Sequence, residues 1–177
     1  DDDLLYNASR AIGLFNEMVR RNLGVTWDAS NGIIASAMTR EIAQAASESG
    51  CIAISIGIES GSPDILSAVR KPSGVRHFLQ CAEIMKEFPD IFAKGLLMVG
   101  FPNETIGQVL ETVRLGVDMG LDWYTIQPLN FIPGVELTNH ALSSGQLTEE
   151  EMINGTERPF VGSTGGHIGT EPADQRP

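Results

Sequence analysis

The chain has 177 residues, 23 acidic against 12 basic, and a formal net charge of −11. This acidic balance argues against binding DNA through clustered Lys and Arg. No apolar run approaches the roughly 20 residues that cross a bilayer, and no secretory signal pattern opens the chain. We therefore expect a cytoplasmic protein without a membrane partner, long enough for one domain with a sizeable core.

The first half of the chain alternates helical and extended patterns. Apolar residues at helical spacing predict a helix over residues 7–22, and "VTWDAS" predicts a short strand. Thr39 is the expected N-cap of the next helix. The apolar strand "CIAISIGI" follows, and Ser62 and Pro63 favour the start of the short helix "PDILSAVR".

The same alternation continues in the second half. "GVRHFLQCAEIMKEF" predicts a helix and "FAKGLLMVGF" a buried strand running into Pro102. Thr105 is expected to begin the helix "IGQVLETVRLGVDMG", which Gly120 closes. "DWYTIQPLNF" predicts the last strand, and "LSSGQLTEEEMI" one more short helix. The Gly- and Pro-rich end of the chain predicts a disordered tail or a linker.

Apolar strands that alternate with helices are typical of a parallel sheet covered by helices, as in a doubly wound sheet or a barrel. In both, ligand-binding groups collect at the carboxyl ends of the strands. Polar residues follow the predicted strands at these ends: Asp28, Ser30, Glu59, Ser60, Asn103, Glu104, Gln127 and Asn130.

Other kinds of site find little support in the sequence. Cys51 and Cys81 are too few for a disulfide scaffold, and both fit the pattern of small buried hydrophobic residues. His77 and His140 have no metal-ligand spacing with other residues, and His167 lies in the predicted tail. No metal site, nucleophilic triad or phosphate loop is legible in this chain.

Five segments together resemble the radical S-adenosylmethionine (SAM) superfamily, with closest similarity to its cobalamin-associated and methylthiotransferase-like branches. They are "DDDLLYN", "GCIAISIGIESGSPDIL", "VRKPSG", "LLMVGFPNET" and "PLNFIPGVEL". Each segment is weak evidence by itself, whereas their order and spacing are specific. The resemblance covers residues 1–137.

The resemblance implies an α/β fold: a partial parallel (β/α) barrel of the radical SAM type, with about four strand–helix units present and the first strands missing. Residues 1–137 would form this partial core, 138–161 a short helical extension and 162–177 a disordered tail. The implied cofactors are SAM, a 4Fe–4S cluster and, in the cobalamin-associated branch, cobalamin. An electron donor such as flavodoxin or ferredoxin is the implied partner.

The family holds its cluster with a Cys-x3-Cys-x2-Cys loop, since thiolates are soft, anionic donors to iron. This chain lacks that loop. We therefore expect a fragment of a radical SAM enzyme, inactive alone, whose cluster ligands lie upstream. Methyl transfer, methylthio transfer and oxidative rearrangement all remain open, as do the substrate and the catalytic residues.

The resemblance assigns SAM-binding roles to residues at the ends of three strands and to Lys71, which follows Glu59 by twelve residues. They are Glu59, Ser60, Lys71, Met98, Gly100, Gln127, Leu129 and Asn130. Glu59 would accept hydrogen bonds from the ribose or the amino group, and Lys71 would face the SAM carboxylate. Asp2 and Asn7 match the end of the family's second strand. Some relatives carry a ribose-binding aspartate where this chain has Leu96.

Structural explanations compete with these roles. Glu59 could cap the following helix or pair with Arg70, and Met98 could be an ordinary core residue. Lys71 could belong to a solvated surface pair.

Two other functions stay open: a truncated, non-catalytic module that binds a nucleotide-like ligand or a partner, and a different α/β-barrel enzyme that uses Glu59 and Glu104 as acid and base. If the first strands are missing, "VTWDAS" becomes an exposed edge strand, which predicts an oligomeric or poorly soluble chain.

Overall fold

The structure is a computed structural model that describes residues 4–154. Along this part of the chain, helices alternate with four strands. In order, the elements are α1 (Ala8–Arg20), β1 (Trp27–Ile33), α2 (Arg40–Glu48), β2 (Cys51–Glu59), α3 (Pro63–Ala68), α4 (Val75–Met85), β3 (Phe92–Val99), α5 (Ile106–Met119), β4 (Trp123–Pro128), α6 (Glu136–Ser143) and α7 (Glu149–Asn154). A short 3-10 turn, Ala35–Ala37, separates β1 from α2.

Side-chain caps account for several of the helix starts. The side chain of Asn7 accepts a hydrogen bond from the Arg10 N–H at the start of α1. Thr39 caps α2, and Thr105 forms a reciprocal capping box with Gln108 on α5, where Gly120 ends the helix in the left-handed conformation. These caps satisfy N–H groups that have no partner within the helix. The predicted boundaries at Thr39, Thr105 and Gly120 are confirmed.

The four strands form one parallel sheet in the order β1-β2-β3-β4. Every pair of neighbours is also consecutive in sequence, so each connection is a strand–helix–strand crossover. This confirms the predicted α/β class. The carboxyl ends of all four strands meet at one edge of the sheet.

The two faces of the sheet differ in burial. On the helix-covered face, β2 contributes Ile54, Ile56 and Ile58 and β3 contributes Ala93 and Leu97, all buried in the core. The opposite face of β3 carries three half-buried side chains, those of Lys94, Leu96 and Met98. The sheet therefore has a packed side and an open side, as expected for part of a barrel.

Two elements differ from the sequence-based prediction. β1 continues beyond Ser30 to Ile33, with a register shift against β2 between Ala29 and Ile33. That irregularity lets the strand carry polar residues without breaking its pairing with β2. Toward the C-terminus, residues 136–154 form two helices where one was expected. The stretch after Ser143 is a turn, not the start of a helix.

Among the described residues, β1 pairs with β2 and with no other strand, so its second edge is unpaired. The expected edge strand is confirmed in that sense. No helix within residues 4–154 is both long and apolar enough to cross a membrane. Asp2 and the predicted tail lie outside the described residues.

Candidate functional site: the carboxyl edge of the sheet

An ion pair lies at the carboxyl end of β2. The ammonium of Lys71 lies 2.8 Å from Oε1 of Glu59, and the two side chains are 18% and 27% exposed. The alternative pairing of Glu59 with Arg70 is wrong, because Arg70 contacts Glu136 instead. Both charges are thus partly shielded from water and still partly exposed at the strand end.

Gly57 leaves the space in which this pair sits. A Cβ at Gly57 would lie 3.1 Å from Lys71 Nζ and 3.7 Å from Glu59 Oε1. The first distance is tight, so a side chain there would crowd the Lys71 ammonium, whereas the second is an ordinary van der Waals contact. The glycine that precedes Glu59 by two residues therefore leaves room for the ammonium beside the carboxylate.

Glu59 itself has an unusual backbone conformation. Its φ is 66°, and the N–H of Ser60 donates to the Ile58 carbonyl at 3.0 Å. A positive φ at the residue enclosed by such a two-residue bond is the signature of a tight, strained γ-turn. Such conformations cost of order 1–3 kcal/mol and persist where the surroundings enforce them.

Ser60 directly follows Glu59 and lies on the side of the turn that contacts α5. It is fully buried, and its hydroxyl lies 3.1 Å from Oγ1 of Thr112 on α5 and accepts the N–H of Ser62 at 3.1 Å. Thr112 Oγ1 also accepts the Gly61 N–H at 2.8 Å. In this arrangement, the predicted SAM-binding role of Ser60 has no exposed surface through which to act.

A second turn of the candidate site follows β3. Glu104 is 6% exposed, and its Oε2 accepts the N–H groups of Gly100 at 2.6 Å and Phe101 at 3.3 Å. Its other oxygen, Oε1, is buried without a hydrogen-bond partner among the described residues. Glu104 therefore holds the turn at Gly100, and its use as an acid or base stays a prediction.

The remaining predicted residues lie along the same edge. Met98 is half-buried on the open face of β3 and pairs in register with Gln127 of β4. Gln127 and Asn130 are exposed, and the Leu129 N–H donates to the Val99 carbonyl at 2.8 Å. The sheet thus brings the β3 and β4 candidates together, and their binding roles stay predictions. Asn7, by contrast, caps α1.

We expect the stability of the fold to depend on the charge of Glu104. Burial raises the pKa of its carboxyl group, while the hydrogen bonds from Gly100 and Phe101 act in the opposite direction. A raised folded-state pKa gives a stabilising contribution that is complete below the ordinary value of about 4.3 and is lost as pH rises through the folded value. Glu104→Gln should remove this loss while keeping one acceptor for the Gly100 N–H.

Urea unfolding between about pH 4 and pH 7 checks this expectation. The free energy of unfolding of the wild type should fall relative to that of Glu104→Gln as pH rises. Glu104→Ala should be destabilised by about 1–3 kcal/mol at every pH, because both N–H groups lose their acceptor. Parallel pH curves for wild type and Glu104→Gln would contradict the assignment.

The residues present do not fit an iron–sulfur cluster. Cys51 lies at the amino end of β2, away from the site, and burial raises its pKa to about 11. Cys81 is buried within α4, where burial raises its pKa to about 12. Both thiols stay protonated near neutral pH, whereas iron binds thiolates. Across the described residues, no group of three or more His, Cys, Asp or Glu side chains could hold a metal ion.

The sequence analysis missed Thr112 and did not single out Gly57. Thr112 belongs to the buried face of α5 together with Leu115 and Met119, at helical spacing. A threonine among apolar residues on a buried helical face is the signal that could have revealed it, because a buried hydroxyl requires a partner.

A parallel α/β sheet with an ion pair and a glycine-containing turn at its carboxyl edge has the arrangement at which α/β proteins typically bind ligands. Comparison with known families makes the assignment specific. Residues 5–116 match the family model described as the Radical SAM superfamily. The chain therefore belongs to that superfamily, as the sequence motifs predicted.

Relatives and solved structures agree with this assignment. The chain is 28% identical over 147 residues to an uncharacterised methyltransferase of Pyrococcus horikoshii, covering 83% of this chain and 31% of that protein. It is 36% identical over 70 residues to a tRNA-2-methylthio-N(6)-dimethylallyladenosine synthase of Bacillus cereus, covering 39% and 14%. The matched segments thus cover less than a third of the length of either relative.

The fold is also similar to that of the radical SAM methyltransferase TsrM from Kitasatospora setae, solved with cobalamin and a 4Fe–4S cluster bound. The TM-score is 0.67 at 16% identity, over 81% of this chain and 29% of that one. At this identity the likeness concerns the fold. It supports the interpretation of the four strands as part of a radical SAM barrel.

Proposed function

We propose that this chain is the SAM-binding part of an enzyme that uses SAM to start radical chemistry. The observation that carries the proposal is the ion pair of Glu59 and Lys71, with a 2.8 Å separation at the carboxyl end of β2. The amino-acid end of SAM carries an ammonium and a carboxylate on one carbon. Glu59 can accept hydrogen bonds from the ammonium while Lys71 donates to the carboxylate, so each charge of the pair gains a new partner.

The other candidates would hold the adenosine end of SAM. Met98 offers an apolar side chain on the open face of the sheet, next in register to Gln127. Gly100 lies at a turn that Glu104 fixes, and it lets backbone approach a flat ring closely. Leu129 and Asn130 would contribute backbone groups and a polar side chain. Ser60, which is buried, would support the turn at Glu59 without contacting SAM.

A 4Fe–4S cluster, when bound, supplies the electron that cleaves SAM to a 5'-deoxyadenosyl radical. The two buried thiols of this chain do not fit that cluster, so we propose that its cysteine ligands lie upstream of this chain. The activity of the whole enzyme would then need a reduced electron donor such as flavodoxin or ferredoxin. A reducing compartment, the cytoplasm, suits such a cluster.

The reaction class is proposed from the relatives. Methyl transfer is supported by the names of the Pyrococcus horikoshii protein and of TsrM, and methylthio transfer by that of the Bacillus cereus synthase. Oxidative rearrangement stays in the proposal as a third class. Cobalamin enters it because the TsrM structure holds cobalamin.

A second candidate function is a non-catalytic module that binds a nucleotide-like ligand. It is favoured by one observation, that both cysteines are buried and neither lies at the carboxyl edge of the sheet. This candidate shares the SAM-like binding site and differs in the absence of a cluster.

Isothermal titration of the chain with SAM and with S-adenosylhomocysteine under argon tests the proposal. We expect binding of both, with adenosine binding more weakly because it lacks the amino-acid end. Absence of binding to all three would overturn the proposed SAM site. The coding sequence upstream of residue 1 then separates the two candidates, because the enzyme requires a Cys-x3-Cys-x2-Cys loop there. Only a protein that carries this loop, treated with iron, sulfide and dithionite, should form 5'-deoxyadenosine from SAM.

A further inference from the structure

The turn that presents Glu59 rests on helix α5 through a set of buried hydrogen bonds. Thr112 Oγ1 accepts the Gly61 N–H at 2.8 Å, lies 3.1 Å from the Ser60 hydroxyl and donates to the Gln108 carbonyl at 3.1 Å. Both Ser60 and Thr112 are at most 2% exposed. One threonine hydroxyl therefore joins the β2 end of the site to the helix that follows the β3 end.

At this contact, the backbone of the turn at Gly61 lies so close to the backbone of α5 that no side chain fits between them. A Cβ placed on Gly61 would lie 2.5 Å from the Glu111 carbonyl oxygen and 2.6 Å from Thr112 Cα. The turn thus lies directly against α5, and its distance from the helix is fixed by backbone atoms. This close contact fixes the Thr112 hydroxyl at 2.8 Å from the Gly61 nitrogen.

We propose that Thr112 is a positioning residue for SAM binding, acting through Glu59. The strained φ of 66° at Glu59 requires an outside constraint, and the two residues that follow Glu59 are the ones bound to Thr112. Without that hydroxyl, the turn relaxes and the carboxylate leaves its position beside Lys71. Ser60, fully buried, belongs to this support behind the site and not to the surface that contacts the ligand.

This inference rests on the proposed SAM site, and the structure offers a matched control. Tyr124 Oη accepts the Leu121 N–H at 3.0 Å and donates to the Gly116 carbonyl of α5 at 2.6 Å. Like Thr112, it therefore accepts a hydrogen bond from one backbone N–H and donates one to a backbone carbonyl. These bonds lie at the C-terminal end of α5, near the amino edge of the sheet. Tyr124→Phe removes an equivalent hydroxyl away from the site.

The experiment measures SAM affinity by titration calorimetry, together with Tm, for Thr112→Val, Thr112→Ser and Tyr124→Phe in the full chain. Loss of a buried hydrogen bond predicts about tenfold weaker SAM binding for Thr112→Val. Thr112→Ser keeps the hydroxyl and should stay within about twofold of wild type. Tyr124→Phe should lower Tm without changing SAM affinity.

Two further readouts separate positioning from general stability. In a Glu59→Gln background, Thr112→Val should weaken SAM binding less than in the wild type. Thr112 affects SAM through the carboxylate of Glu59, and that carboxylate is already absent in this background. Without ligand, Thr112→Val should speed hydrogen exchange at the Gly61 amide, which loses its acceptor. If Thr112→Val does not fold, Ser60→Ala removes the other contact of Thr112 with the turn, the 3.1 Å contact between the two hydroxyls, and should weaken SAM binding in the same direction.

The outcomes are distinct. Wild-type affinity in Thr112→Val, or equal weakening by Tyr124→Phe, would overturn the positioning role while leaving the SAM site intact. A wild-type chain that does not bind SAM would overturn the proposed function instead, and in that case Gly61 amide exchange still reports on the Thr112 contact.

Discussion

Replacing Gly61 with alanine is expected to lower the free energy of unfolding by about 3 kcal/mol, the upper part of the range for overpacking a well-packed contact. The new Cβ would lie 2.5 Å from the Glu111 carbonyl oxygen and 2.6 Å from Thr112 Cα. Both are backbone atoms of α5, so a side-chain rotation cannot relieve the clash. Either the helix moves off the sheet or the turn after Glu59 moves out. Urea unfolding monitored by circular dichroism measures the change.

Gly13→Ala is the matched control. Gly13 lies within α1, and beyond the backbone of that helix no heavy atom would lie within 4 Å of a Cβ at this position. Alanine there should stabilise the chain by up to about 1 kcal/mol, since glycine is the weaker helix former. Opposite signs for the two glycine substitutions are expected. A neutral Gly61→Ala would show that the turn and α5 are not held in contact.

The role of Gly61 shows which part of the structure can be predicted from the sequence and which part cannot. The alternation of apolar strands and capped helices predicts the parallel sheet, because period, caps and breakers are local properties of the chain. "GIESGS" by itself favours a ligand-binding turn, in which glycine lets a ligand approach closely. Whether a glycine makes room for a ligand or for a helix depends on α5, which lies much further along the chain.

The same limit applies to the ion pair. The family motifs single out Glu59 and Lys71 as candidate site residues, but they do not predict that the two side chains pair with each other. Arg70 stands next to Lys71 in sequence, and only the way the chain turns after α3 sends Arg70 toward Glu136 and Lys71 toward Glu59. Such choices between neighbouring cations depend on tertiary structure and leave no local pattern.

Lys71→Met is expected to weaken SAM binding by about 100-fold, or roughly 3 kcal/mol, as is typical for removing one partner of a shielded charge pair. Methionine keeps much of the length and apolar stem of lysine but has no ammonium for the SAM carboxylate. The substitution also leaves Glu59 without its 2.8 Å partner. Titration calorimetry with SAM gives the loss directly.

Decarboxylated SAM shows whether the loss arises at the SAM carboxylate. This analogue keeps the amino group and the adenosine but has no carboxylate for Lys71, so wild type and Lys71→Met should bind it with similar affinity. Arg70→Met is the matched protein control, because Arg70 and Glu136 are 78% and 79% exposed and such surface pairs contribute little. If Lys71→Met weakens the binding of SAM and its decarboxylated analogue equally, Lys71 acts by holding Glu59 and not by recognising the carboxylate.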